Sequence, residues 1–209
     1  MRNIPQGGVE TLKKRFNSFW KRVLQQRQDV DYFAKLSLSD FIELKKALSN
    51  INNIITMKVS EEFLDFLGKT AVINNDDKKK AKEDVQKKKA CANGYDIDFE
   101  TSANQRIIAE VKCNIPVNKN SFGAAQKAGI IRDIDGLIKG KVKNKTNKAV
   151  KDALKFMVLL GYENKDKNVE CAVDKLLKNK DIDNKTVVMY KGGIHLNPNH
   201  VYIVIIPLK

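Results

Sequence analysis

Two short runs constrain this chain more than any other part of it. Residues 94–100, Gly-Tyr-Asp-Ile-Asp-Phe-Glu, and residues 106–112, Arg-Ile-Ile-Ala-Glu-Val-Lys, largely alternate apolar with polar side chains. A period of two belongs to a half-buried β-strand, and the polar stretch 102–105 between them suits a hairpin loop. In the simplest register, without a bulge, Tyr95, Ile97 and Phe99 share one face with Ile107, Ala109 and Val111. Asp96, Asp98 and Glu100 share the other with Glu110 and Lys112. The hairpin therefore gathers several carboxylates and one ammonium on a single patch.

Carboxylates held close together repel one another and take up protons unless a cation neutralises them. Hard oxygen donors on strands suit Mg2+, which takes one or two protein carboxylates and fills its remaining positions with water and substrate phosphate. The plain alternative is an ordinary polar sheet face, in which Asp or Glu opposite Lys contributes about 0.2–1 kcal/mol. Aspartate is depleted in strands, however, so two of them alternating in one strand call for a compensating role.

From Asp96 to Lys112 the chain resembles the PD-(D/E)xK nuclease superfamily, in which an acidic residue on one strand and an E-x-K triplet on the next form a metal site. Here the triplet is Glu110-Val111-Lys112. Tyr95 or Ile97 precedes the aspartate where the family pattern has proline, so either Asp98 or Asp96 takes the family position. The resemblance implies that Asp98, with or without Asp96, and Glu110 hold Mg2+, and that Lys112 positions or activates a water. It also implies an auxiliary acid from a preceding helix, for which Glu61 and Glu62 are candidates, with Glu100 as a further acidic neighbour. The implied activity is hydrolysis of DNA phosphodiesters. A chain of this size looks like a type II restriction endonuclease, a homodimer acting on short sites in double-stranded DNA, with a cognate methyltransferase as a companion and not a stable partner. Two alternatives stay open: a repair or structure-selective nuclease of the same superfamily, and a non-catalytic basic nucleic-acid-binding protein.

Composition agrees with a polyanionic partner. The 209 residues carry a formal net charge of +14, a field that draws in nucleic acid, although an AT-rich genome alone would also enrich lysine. Lysine outnumbers arginine, which favours phosphate contacts over bidentate base readout. A hydrophobic content of 42% supports one sizeable core. Cys91, Cys113 and Cys171 are too scattered for a disulfide framework or zinc site. No apolar run approaches the roughly 20 residues of a membrane span, no signal-like segment is expected at the start, and a reducing cytoplasm is the expected compartment.

Residues 1–74 read as a helical region. Val9, Leu12, Phe16, Phe19, Trp20, Val23 and Leu24 recur at helical spacing, with Trp20 and the phenylalanines expected in a core. Further helices are expected after a cap at Ser39 or Asp40 and after one at Ser60. Residues 75–93 form a lysine-rich linker or helix, and 94–209 the catalytic core. Within it, Ser121 is the expected N-cap of a helix that ends at Gly140. The loop before this helix and its first turn supply candidate DNA contacts, Asn118, Lys119, Asn120, Ser121, Gln126 and Lys127. The basic loop after it supplies Lys139, Lys141, Lys143 and Lys145 as a clamp on phosphate. Residues 156–162 form a continuous apolar run suited to a buried central strand. A helix near 169–177 and strands at 186–190 and 200–206 follow, the last two expected to be a hairpin turned by Gly192-Gly193. His195 and His200 are assigned no catalytic role. The order of elements predicts an α/β fold, a restriction-endonuclease-like mixed sheet flanked by helices, with an N-terminal helical region.

Overall fold

A computed structural model describes residues 6–88, 94–117, 120–141, 150–164, 167–179, 182, 186–193 and 195–208. Four candidate DNA contacts, Asn118, Lys119, Lys143 and Lys145, lie outside the described residues, as does Cys91. The chain divides into two compact units, 1–51 and 52–209. The division falls ahead of residue 74 because the helix that follows it sends Phe63, Leu64 and Leu67 into the core of the second unit.

The first unit contains α1 (Gln6–Val23), α2 (Tyr32–Lys35) and α3 (Leu38–Ser49). Its centre is aromatic: Phe41 lies 5.5 Å, ring to ring, from both Phe16 and Phe33, and Trp20 packs 6.2 Å from Phe16. Such pairs add about 0.5–1.5 kcal/mol beyond the area they bury. Leu12, Phe19 and Val23 nevertheless remain exposed, so only part of the apolar stripe of α1 is core. The cap of α3 is Ser37, not Ser39 or Asp40. Ser37 Oγ accepts from Asp40 N–H, while Asp40 Oδ2 accepts from Ser37 N–H at 2.8 Å, so Asp40 is the reciprocal partner in a capping box.

The second unit is a mixed five-stranded sheet between two layers of helix. α4 (Ile51–Lys69) runs through Ser60, which therefore caps nothing; its buried hydroxyl donates to Thr56 O at 2.8 Å. The lysine-rich stretch becomes α5 (Asn75–Lys87), capped by Asn74, with Asp76 and Asp77 in the first turn where the helix dipole favours them. The sheet order is β1 (Ile97–Glu100), β2 (Arg106–Lys112), β3 (Leu154–Gly161), β7 (Val201–Pro207), β6 (Val187–Met189). β1 and β2 are the antiparallel hairpin, and every other pairing is parallel. β3 is central and almost wholly buried, as a strand covered on both faces must be. One face packs on α4 and α5 through Phe63, Leu67, Ile97, Ile107, Phe156 and Tyr202. The other packs on α6 (Ala124–Lys139) and α7 (Val169–Leu177) through Ile108, Ile134, Met157, Val173 and Ile203. A two-stranded ribbon, β4 (Glu163–Asn164) with β5 (Lys167–Asn168), leads into α7.

Three further expectations change. β6 runs parallel to β7, so Gly192-Gly193 turns a crossover loop and not a hairpin. Both glycines have positive φ, +96° and +77°, and a Cβ on Gly192 would meet Thr70 Cγ2 at 2.9 Å. Tyr95 lies with Ile108 on the α6 side, away from Ile97; it precedes β1 and follows Gly94 at φ +116°, so strand alternation does not govern it. The N-cap of α6 is Gly123 and not Ser121. Gly140 ends that helix at φ +89° as expected. Among the described residues no helix is long and apolar enough to cross a membrane.

Candidate active site

The hairpin register places Asp98 opposite Ile108 and Glu100 opposite Arg106. Asp98 and Arg106 thus lie diagonally on the face that α6 covers. Arg106 grips both carboxylate oxygens, Nε to Oδ1 at 2.9 Å and Nη2 to Oδ2 at 2.8 Å. A planar guanidinium matched to a carboxylate is a strong charge-assisted pair, and it occupies the oxygens that Asp98 would need as a metal ligand. Hydrogen bonding to Asp98 also raises the Arg106 pKa above its ordinary value.

Asp96 stands differently. It precedes β1, and its Oδ2 accepts the backbone N–H of Val111 at 2.8 Å, which ties it to the strand that carries Glu110 and Lys112. Lys88, at the end of α5, donates to the carbonyls of Tyr95 and Asp96 and fixes this segment from outside the sheet.

Glu110 is 3% exposed. Burial pushes its carboxyl up to about 7, the charge of Asp96 adds to that, and Lys141 opposes it. A carboxylate desolvated beside another is the arrangement that disfavours ionisation. Lys141 Nζ lies 2.5 Å from Glu110 Oε1, donates to Gly94 O at 2.8 Å and stands 5.3 Å above the Tyr95 ring. Tyr95 in turn donates its hydroxyl to Gly136 O of α6 at 3.0 Å. Lys141, expected among the phosphate clamps, is therefore a member of the carboxylate cluster.

Lys112 is anchored by a residue that the sequence reading missed. Its ammonium lies 2.5 Å from Asp133 Oδ2, and the Asp133 side chain is 12% exposed. The available signal was an acid flanked by Ile130, Ile134 and Leu137, the sheet-facing stripe of α6. That placement put an acidic group at the margin of a buried face.

The remaining candidates are spread out. Glu61 accepts from Gln86 at 2.7 Å and pairs with Lys58, and these contacts hold its pKa below the ordinary range. Glu62 is half-buried on the same helix, and Glu100 lies opposite Arg106 at the far end of β1. Gln126 serves the start of α6: its Oε1 accepts from Gly123 N–H and its Nε2 donates to Ile115 O, both at 3.0 Å. Ser121 faces Lys175 at 3.4 Å, and Asn120 is half-buried beside it. Lys139 pairs with Asp135 on the surface, and Lys127 lines a groove with Arg132 and Asn179.

Among the described residues no group of three or more His, Cys, Asp or Glu stands ready to hold a metal. The Asp96–Glu110 pair does fit Mg2+ by donor chemistry, since that ion needs only one or two carboxylates from the protein. Comparison with protein-family models, with curated proteins and with solved structures finds no match in any of the three. The chemistry of the cluster therefore stands alone as the basis for a functional reading.

Proposed function

We propose that the protein is a Mg2+-dependent endonuclease of the PD-(D/E)xK type, acting on double-stranded DNA, and in its most concrete form a type II restriction endonuclease working as a homodimer. The observation that carries this reading is the buried Glu110, desolvated beside Asp96 on the strand that also presents Lys112. Bound Mg2+ would polarise the scissile phosphate and lower the pKa of a coordinated water. Asp96 and Glu110 would hold the ion, and the geometry favours Asp96 over Asp98 because Arg106 already engages both oxygens of Asp98. Lys112, oriented by Asp133, would neutralise charge growing on the phosphorane as a water oxygen attacks phosphorus and the ester P–O bond breaks. The net charge of +14 supports a polyanionic substrate.

A second reading draws on a specific observation. Glu110, Asp98 and Asp133 each have a cationic partner within the protein, as a purely structural polar network in a non-catalytic DNA-binding protein would. Incubation with unmethylated phage DNA in Mg2+ or in EDTA separates the two. Discrete Mg2+-dependent fragments, lost in Glu110→Ala, support the endonuclease. A smear, or cutting only of junctions and ends, supports a repair enzyme. A retained gel shift with intact DNA supports the binding protein.

A further inference from the structure

The basic side chains of α1 fall into two groups. Lys13 faces Glu10 at 3.8 Å and the Phe33 ring at 5.5 Å, and Lys21 pairs with Asp29 at 2.5 Å. Lys14, Arg15 and Arg22 are exposed and have no acidic partner among the described residues. They line one shallow groove together with Thr11, Ser18 and Phe19. The positions recur at intervals of three and four, so they form one continuous face of the helix.

Three features point to what this face binds. It is positive and rich in donors, with Glu10 the only acid on α1. It also carries two of the six arginines of a lysine-dominated chain, Arg15 and Arg22. Arginine is the residue suited to forked contact with phosphate. From Lys14 to Arg22 the helix rises about 12 Å, and one DNA strand carries a phosphate for roughly every 3.4 Å of duplex axis, so the face is long enough to meet more than one phosphate. An anionic membrane is the poorer fit. Membrane-surface helices bury a continuous apolar face; in this one Phe16 and Trp20 are committed to the aromatic cluster with Phe33 and Phe41, which leaves Leu12, Phe19 and Val23 as its exposed apolar side chains.

We propose that the Lys14–Arg15–Arg22 face of α1 is a docking surface for the phosphate backbone of double-stranded nucleic acid. The proposal goes beyond the cleavage reading and does not depend on it, because anchoring needs no chemistry at the hairpin.

The test is fluorescence anisotropy of a short labelled duplex with the full chain in EDTA, over about 50–200 mM salt. The triple variant Lys14→Ala, Arg15→Ala, Arg22→Ala is compared with wild type and with Lys45→Ala, Lys46→Ala, which removes charge from α3. Each neutralised contact contributes about 0.9 to the slope of log affinity against log salt. The triple variant is expected to flatten that slope by about 2–3 and to weaken binding about tenfold or more, with the control close to wild type and circular dichroism unchanged. Arg22→Glu alone should flatten the slope in the same direction, which guards against misfolding of the triple variant. Wild-type slope and affinity in both variants overturn the proposal, as does an equal loss in the α3 control. Wild-type sedimentation with phosphatidylserine vesicles that the triple variant loses, with the DNA slope unchanged, would assign the face to lipid instead. Failure of cleavage is read separately, from Glu110→Ala on phage DNA.

Discussion

Lys141 Nζ sits 2.5 Å from Glu110 Oε1, so a lysine just past the end of α6 supplies the counter-charge for the most buried carboxylate of the hairpin. The same ammonium is held by Gly94 O and by the face of Tyr95. Lys141 therefore competes with any cation that approaches Glu110. Replacement by methionine keeps the apolar stem and removes that competitor. Isothermal titration with Mg2+ at pH above 7 should show several-fold tighter binding by Lys141→Met than by wild type. Equal or weaker affinity would count against Glu110 as a metal ligand.

Asp96 and Asp98 are two residues apart but have different surroundings, and their alanine variants should separate in activity. Asp96→Ala should abolish Mg2+-dependent cleavage and lose about 1–3 kcal/mol of stability, because the buried Val111 N–H loses its acceptor. Asp98→Ala should keep most of the activity and lose about 1.5–3 kcal/mol of stability, because Arg106 loses its charged partner. Urea unfolding and a cleavage assay on the two proteins check both halves. An inactive, fully stable Asp98→Ala would restore Asp98 as the ligand.

Asp133 touches Lys112, and under the proposed function it is a positioning residue. Asp133→Asn should lower kcat by about tenfold or more with KM little changed, since orientation of the lysine and not substrate affinity is lost. Asp133→Glu should recover part of the rate. A raised KM at constant kcat would instead make Asp133 part of substrate binding.

Glu110 makes stability depend on pH in a definite direction. Its folded pKa of about 7 lies above the ordinary 4.5, so between those values the folded chain holds a proton that the unfolded chain has lost. The contribution is fully present below 4.5 and is lost as pH rises through 7, with an upper bound of about 3 kcal/mol. Urea unfolding in EDTA should show wild type losing stability over this window and Glu110→Gln losing less. Parallel profiles for the two proteins would show that Glu110 titrates normally.

Local pattern alone was enough for the hairpin, the buried strand β3, α7 and the stop at Gly140, because each depends on period, run length or a glycine that can adopt positive φ. It was also enough to place Glu110 and Lys112 on one face, since residues two apart on a strand must share it. Local pattern did not reach the parallel sense of β6 and β7, because the direction of a strand depends on where the connecting chain packs. The ion-pair partners were likewise out of its reach. Arg106 engages Asp98 through cross-strand register, Asp133 reaches Lys112 from a crossover helix, and Lys141 reaches Glu110 from beyond that helix. Coulomb and desolvation energies depend on distances of a few ångströms in space, and sequence separation does not encode them. The chain's own residues therefore determined that carboxylates and a lysine would converge. Only tertiary packing decided which of them are paired with a counter-charge and which are not.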